Sequence, residues 1–194
     1  MSEIPIMISG TLTDKSGRTL SGQTLEAFLA SMKNQHIISV GLNCAFGAKD
    51  LIPFIKTISK KTNYYVSVYP NAGLPNELGE YDESPETTVG YLRELVDGGF
   101  VNMVGGCCGT TFEHIKAISE LVDGAAPRQI PGIAEETTLA GLETVVVSKE
   151  NNFLNIGERT NVAGSRKFAR LIAEKQYEEA LSIARDQVDN GGQA

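Results

Sequence analysis

The chain has 194 residues, of which 41% are hydrophobic and 21% charged, a composition typical of globular proteins. Its formal net charge of −7 argues against nucleic acid as a partner. No apolar run approaches the roughly 20 residues of a membrane span, and Met1 to Pro5 lacks the basic and apolar regions of a signal peptide. The three cysteines are an odd number, which argues against a disulfide framework and favours a reducing, cytoplasmic location.

The first two thirds of the chain alternate apolar runs with amphipathic runs. Strands are predicted at 4–8, 37–42, 64–69 and 101–104, and helices at 24–32, 49–60, 85–97 and 111–122. Pro53 is expected in the first turn of its helix, and Ser84 is expected to cap the helix that opens with Pro85. Four β-α units of this kind predict a parallel α/β sheet covered by helices, which is half of an eight-fold TIM barrel. The long segment 70–85 between a strand and a helix indicates a functional loop.

The remaining residues differ in character. Two prolines and two glycines in the stretch 124–132 indicate a linker, which we place at 124–139. A hairpin is predicted from strands at 144–148 and 152–156, followed by a polar loop at 157–165 and helices at 166–174 and 177–188. We therefore predict two domains, at 1–123 and 140–194, joined by this linker.

All three cysteines follow predicted strands. Cys44 follows the second strand, while Cys107 and Cys108 follow the fourth inside the glycine-rich sequence GGCCGTT. Sites in parallel α/β sheets lie beyond the carboxyl ends of the strands, so these thiols should meet on one side of the sheet. The start of the helix after Cys108 is expected to favour the thiolate form of the neighbouring cysteines.

Three thiolates with a fourth open position suit a catalytic zinc ion, with Cys44, Cys107 and Cys108 as metal ligands and catalytic residues. The fourth position could take water, a substrate, or a polar atom near Asn71. Two alternatives remain open from the residues alone. The cysteines could be buried small hydrophobes, or the glycines and threonines around them could hold a phosphate at a helix N-terminus.

Other polar residues give weaker signals. His36 and His114 are expected on the surface or on a helix face, and two groups are expected in solvated loops: Asp14, Lys15 and Arg18, and Glu80, Asp82 and Glu83. In the loop 157–165, Ser165 could simply cap the next helix. Alternatively, this loop could hold a polar ligand, with Asn161 offering both a donor and an acceptor.

Two stretches resemble known families. The sequence GLNC at 41–44, together with GGCCGT at 105–110, resembles the homocysteine-binding barrel of the homocysteine S-methyltransferases. The sequence NIGERTNVAGSRKF at 155–168 resembles the entry to the pterin-binding barrel of the cobalamin-dependent methionine synthases. The two stretches occur in this order on either side of a proline-rich linker. In this arrangement essentially the whole chain resembles the cobalamin-dependent methionine synthases.

This resemblance implies a function and its residues. It implies zinc held by Cys44, Cys107 and Cys108, homocysteine as methyl acceptor, and methyltetrahydrofolate as methyl donor through cobalamin. Cobalamin would be carried by a partner module outside this sequence, and Asn71 would be an extra zinc or substrate contact. The folate would be bound by Arg159, Asn161, Val162, Ala163, Gly164 and Ser165.

The resemblance covers only parts of the two barrels, so the chain is expected to be a piece that spans a domain junction. Two alternative functions follow. The homocysteine barrel could use another methyl donor, such as betaine or S-methylmethionine, or the chain could be an inactive fragment.

Overall fold

The computed structural model describes residues 4–33 and 36–193, which form two compact units. The first unit contains Met1–Glu135 and Ala140–Thr144, and the second contains Glu136–Leu139 and Val145–Ala194. The sequence argument against a signal peptide concerns Met1 to Pro5. Residues 1–3 of this stretch lie outside the described residues. Within the described ranges, no helix is both long and apolar enough to cross a membrane.

The first unit is built on one parallel sheet, as predicted. The strands lie in the order β1-β2-β3-β4, and every neighbouring pair is parallel. The strands are β1 (Met7–Gly10), β2 (Ser39–Gly47), β3 (Tyr65–Asn71) and β4 (Met103–Val104). The helices between and after them are α1 (Leu25–Met32), α2 (Ala48–Lys61), α3 (Pro85–Asp97) and α4 (Phe112–Val122). The alternation of strand and helix predicted from the sequence is therefore confirmed for these four units.

The core of this unit lies between the two central strands and the helices that cover them. Fully buried apolar side chains come from both, among them Val40, Leu42, Val66, Val68, Ile55, Ile58, Leu92 and Leu95. Each such side chain stabilises the fold by about 1.5–3 kcal/mol relative to an exposed one. At one point β2 approaches β3 so closely that only glycine fits, because a Cβ atom on Gly41 would lie 1.9 Å from the carbonyl oxygen of Ser67.

Local sequence explains most helix ends. The hydroxyl of Ser84 accepts a hydrogen bond from the amide of Thr87 at 3.3 Å, and Pro85 occupies the first turn of α3, as expected. Pro53 differs from expectation, because α2 begins at Ala48 and places it in the second turn. Pro53 is solvent-exposed there, so the carbonyl group that loses its helical donor can be hydrated instead.

The second unit contains α5 (Arg166–Ala173) and α6 (Tyr177–Asp189), close to the two helices predicted there. The predicted hairpin is wrong. Strand β6 (Thr144–Val147) pairs with β5 (Thr137–Ala140), which lies partly in the segment predicted to be a linker. Residues after β6 form a short 3-10 helix (Lys149–Asn151), and Asn152 has a φ of 53°, which is incompatible with an extended strand.

Candidate metal centre

Cys44 lies in an irregular part of β2 rather than beyond its end. The strand pairs with β3 up to Asn43 and again at Gly47, and the register shifts between these residues. Cys44 and Ala45 have φ values of 60° and 62°, in the left-handed region that L-residues avoid. Such a conformation costs about 1–2 kcal/mol per residue. The surrounding sheet holds this bulge in place, and it is the bulge that carries the first thiol.

The other two thiols are positioned by backbone hydrogen bonds to β3. The amide of Cys107 donates to the carbonyl of Pro70 at 2.8 Å, and the carbonyl of Cys108 accepts from the amide of Ala72 at 2.9 Å. The glycine-rich segment therefore follows the end of β3 closely, on the side of β3 opposite to β2. This arrangement brings both adjacent cysteines to the end of the sheet at which Cys44 lies, near the carboxyl ends of the strands.

The three cysteines form a cluster. Their Sγ atoms all lie within 4.8 Å of one another, and the Sγ atoms of Cys44 and Cys108 are 3.6 Å apart. All three are free thiols; Cys44 and Cys107 are half-buried and Cys108 is exposed. Zn–S bonds of about 2.3 Å in a tetrahedron place two sulfurs about 3.8 Å apart, so these residues fit a zinc ion.

Asn71 links the two cysteine motifs. Its Oδ1 atom accepts a hydrogen bond from the amide of Cys108 at 3.1 Å, and its side chain is among the groups that lower the pKa of Cys44. The residue is 2% exposed, so its amide group lies inside the protein, where an unpaired amide would be costly. Asn71 thus holds the backbone at Cys108 and acts on the thiol of Cys44.

The thiols differ in acidity. Burial opposes ionisation of Cys44, but hydrogen bonds to its sulfur from the Ala45 amide and from the Cys108, Cys107 and Asn71 side chains lower its pKa overall. By contrast, the pKa of Cys108 is raised, first by its hydrogen bond to Cys44 and then by that to Cys107. The expectation that a helix start favours the thiolate is therefore wrong for Cys108, since α4 begins only at Phe112.

Several of the backbone amides near the cysteines already have partners inside the protein. The amide of Cys108 bonds to Asn71, that of Thr110 to the carbonyl of Cys107 at 3.1 Å, and that of Thr111 to Nδ1 of His114 at 3.3 Å. A phosphate site at a helix start needs such amides to point at the ligand. The arrangement therefore disfavours the phosphate alternative.

Tyr81 is a member of this site that the sequence interpretation missed. It lies in the long loop between β3 and α3, and its side chain packs on Gly109, the residue after Cys108. Desolvation, and then the neighbouring side chain of Cys108, raise the pKa of Tyr81. The unusual length of this loop is the sequence feature that could have indicated a site residue within it.

His114 was expected on the surface or on a helix face, and it lies in α4 but is buried. It is 6% exposed, and its Nε2 atom lies 2.9 Å from the carbonyl oxygen of Glu83. Because Nδ1 accepts from the Thr111 amide, Nε2 carries the proton and donates to Glu83. His114 thereby ties the start of α4 to the loop that carries Tyr81. His36 is exposed, as expected.

The remaining polar residues named from the sequence have other partners. Lys15 pairs with Asp50 at 3.1 Å, Arg18 with Glu143 at 2.6 Å, and Asp14 accepts from the amide of Ser16 at 2.8 Å. Glu83 accepts a hydrogen bond from the hydroxyl of Thr88 at 2.7 Å, which anchors the loop near Tyr81, whereas Glu80 and Asp82 are exposed.

The second unit places the other candidate residues in one exposed loop. Ser165 caps α5 by accepting from the amide of Phe168 at 3.3 Å, and Oδ1 of Asn161 accepts from the amide of Ala163 at 2.9 Å. The side chain of Gln187 accepts from the amide of Arg159 at 2.5 Å. Internal bonds therefore fix the shape of this loop, whose other members Val162 and Gly164 are also exposed.

Comparison with models of known protein families matches residues 1–122 to the homocysteine S-methyltransferase family. The match includes all three clustered cysteines and covers more than half of the chain. The chain belongs to the homocysteine S-methyltransferases. It is thus a member of a family of methyltransferases that use homocysteine as acceptor.

Membership of the homocysteine S-methyltransferases gives the thiol cluster a chemical context. The acceptor of these enzymes is itself a thiol, which must lose its proton before it can attack a methyl group. The matched segment ends at residue 122, at the last residue of α4.

Proposed function

We propose that Cys44, Cys107 and Cys108 hold a zinc ion and that the fourth ligand position receives the sulfur of homocysteine. The observation that carries this proposal is the convergence of three free thiols within 4.8 Å in a member of this family. A bound zinc ion would supply Lewis acidity, which keeps a substrate thiol in its nucleophilic thiolate form near neutral pH.

The residues of the chain prepare the site for this role. The lowered pKa of Cys44 favours one of the three deprotonated ligands that metal binding requires. Asn71 holds the backbone of Cys108 in place through its hydrogen bond and contributes to the lowered pKa of Cys44. The exposure of Cys108 leaves this side of the cluster open to an incoming thiol.

We further propose that the protein acts as a methionine synthase, with methyltetrahydrofolate as donor and cobalamin as carrier on a separate partner module. The loop with Arg159, Asn161, Val162, Ala163, Gly164 and Ser165 would then bind the folate. Its exposure and internal bracing by Gln187 support a binding role. In this proposal the four-stranded sheet is half of a TIM barrel, and the protein works in the cytoplasm.

The zinc proposal is tested by elemental analysis of protein purified under reducing conditions. We expect about one zinc ion per chain, with loss of the metal from a Cys107→Ser, Cys108→Ser double variant. Ser182→Cys, which adds a thiol in α6 of the second unit, is the matched control and should leave the zinc content unchanged. A wild-type protein without zinc, or a double variant that retains it, would overturn the proposal.

The donor proposal is tested by equilibrium dialysis against 5-methyltetrahydrofolate. We expect binding that weakens about tenfold or more in Asn161→Ala, since a lost hydrogen bond to a ligand costs about 1.4 kcal/mol or more. Asn190→Ala, at the end of α6, is the control. Binding of betaine or S-methylmethionine instead would favour the alternative methyl donors.

A further inference from the structure

The loop between β3 and α3 is held against the thiol cluster at several points. The amide of Glu83 donates to the carbonyl of Ala72 at 3.3 Å, and Nε2 of His114 donates to the carbonyl of Glu83 at 2.9 Å. Both ends of the loop are thereby fixed, because the amide of Ala72 in turn bonds to Cys108. This loop is therefore part of the wall beside the cysteines.

Tyr81 is the loop residue that reaches the cysteines. Its side chain packs on Gly109, where a Cβ atom would lie 2.2 Å from Cβ and 2.6 Å from Cγ of Tyr81. Gly109 has a φ of 77°, so both its conformation and the close tyrosine require glycine here. The glycine next to Cys108 thus leaves room for a tyrosine ring directly beside the thiol.

We propose that Tyr81 is a positioning residue of the thiol cluster, whose hydroxyl group donates a hydrogen bond to Sγ of Cys108 and fixes the direction of that sulfur. This inference rests on the proposed metal site and names a contact outside its three ligands. A hydrogen bond to a thiolate stabilises the electron pairs of the sulfur and so moderates its donation to a metal. The most exposed of the three sulfurs is thereby the one with a phenol partner.

Loss of Tyr81 should affect the metal site differently from loss of one of its three ligands. Removing a ligand should abolish metal binding, whereas removing the phenol should leave three sulfurs bound but change their electronic properties. Residues that support metal ligands in this way typically change metal affinity by about 10–100-fold when they are lost.

The test compares wild-type protein with Tyr81→Phe, which keeps the ring and removes only the hydroxyl. Cobalt(II) is used as the probe, because its thiolate charge-transfer bands in the near ultraviolet report sulfur donation directly. We expect these bands to move to longer wavelength in Tyr81→Phe, because the sulfur then donates more strongly, and cobalt affinity to fall about tenfold, because the sulfur is no longer held in direction. Tyr65→Phe, at the opposite end of β3, is the matched control and should match the wild type.

A second measurement on the metal-free protein tests the contact without any metal. We expect nuclear Overhauser cross-peaks between the ring protons of Tyr81 and the Cβ protons of Cys108; their absence would overturn the proposal. Wild-type bands unchanged in Tyr81→Phe would also overturn it, while leaving the three-thiol site intact. If wild-type protein showed no thiolate bands with cobalt(II), the metal site and the role of Tyr81 toward it would both fail, even with cross-peaks present.

Discussion

The Oδ1 atom of Asn71 lies 3.1 Å from the backbone amide of Cys108, whose hydrogen bond it accepts inside the protein. The same side chain is one of the groups that lower the pKa of Cys44, which comes from a different strand. One side chain at the end of β3 therefore acts on two cysteines that are 64 residues apart in the sequence. The cluster therefore depends on Asn71 as well as on its cysteines.

Replacing Asn71 with alanine should weaken zinc binding by about 10–100-fold, because the supports of metal ligands typically contribute that much. The change removes the acceptor of the Cys108 amide and one of the groups that lower the pKa of Cys44. Competition with a chromogenic chelator measures the affinity, and Asn63→Ala, in the exposed turn before β3, is the control. An unchanged affinity in Asn71→Ala would show that the strands alone position the thiols.

The acidities of the thiols predict an order of titration in the metal-free protein. The pKa of Cys44 is lowered and that of Cys108 is raised, so Cys44 should ionise at lower pH although Cys108 is more exposed. Because the folded state lowers the pKa of Cys44, its thiolate adds stability at alkaline pH, and this contribution is lost as the pH falls through the folded pKa. The raised pKa of Cys108 has the opposite effect on stability, because ionisation of this thiol at alkaline pH is less favourable in the folded state than in the unfolded state.

Alkylation with iodoacetamide between pH 6 and 11, followed residue by residue by mass spectrometry, measures both midpoints. The Cys44→Ser variant should lower the midpoint of Cys108, since the hydrogen bond to Cys44 is the largest cause of its raised pKa. A Cys108 midpoint below that of Cys44 in the wild type would contradict the hydrogen-bond assignment.

Much of this site could be predicted from the sequence, because regular β-α alternation places strand ends on one side of a sheet. That rule alone is enough to predict that Cys44, Cys107 and Cys108 lie close together. The same rule could not predict that Tyr81 and His114 lie near the cysteines, since their contacts depend on the path of the 72–84 loop, which has no periodic pattern. Burial opposes the lowered pKa of Cys44, which depends first on the Ala45 amide in a bulge that no sequence pattern indicates, and then on the side chains of Cys108, Cys107 and Asn71.

The fold is predicted less well where pairing depends on the choice of partner. The sequence pattern identifies strand β6 but favours a partner at 152–156, because that apolar stretch follows the short polar segment 149–151 as in a hairpin. The true partner, β5, begins with Thr137 in a segment dominated by turn-forming residues. Short strands of this kind carry too few apolar residues for periodicity to specify their pairing.

Replacing Ala45 with glycine should stabilise the first unit by about 0.5–1 kcal/mol, because glycine adopts its φ of 62° without the steric cost of a Cβ atom. Urea unfolding followed by circular dichroism measures the change. Ala27→Gly, in the regular helix α1, is the control and should destabilise the protein by about 1 kcal/mol. If Ala45→Gly also destabilised the protein, the bulge would be held by the alanine side chain rather than strained by it.

Arg128 should contribute more to stability than any surface ion pair of the first unit. It is 3% exposed, and its guanidinium group donates to the hydroxyl of Ser59 at 2.8 Å and to the carbonyls of Thr62 at 2.7 Å and Tyr64 at 3.0 Å. It also donates to the Ser59 carbonyl at 2.5 Å, near the C-terminus of α2, where the helix dipole favours a positive charge. Its own amide bonds to the carbonyl of Val101, so the segment after α4 is fastened to the base of the sheet.

The Arg128→Met variant keeps the unbranched apolar stem of the side chain but leaves these carbonyls without donors, so we expect a loss of about 2–4 kcal/mol in unfolding free energy. The control is Lys56→Met, which breaks the exposed pair with Glu94 and should cost less than about 1 kcal/mol. Urea unfolding measures both, and zinc content reports whether the cysteine site survives. Since Arg128 acts at the opposite end of β3 from Asn71, zinc binding by the folded variant should equal that of the wild type. A loss smaller than that of Lys56→Met would mean that water replaces the guanidinium group at low cost and that the segment after α4 is not held by Arg128.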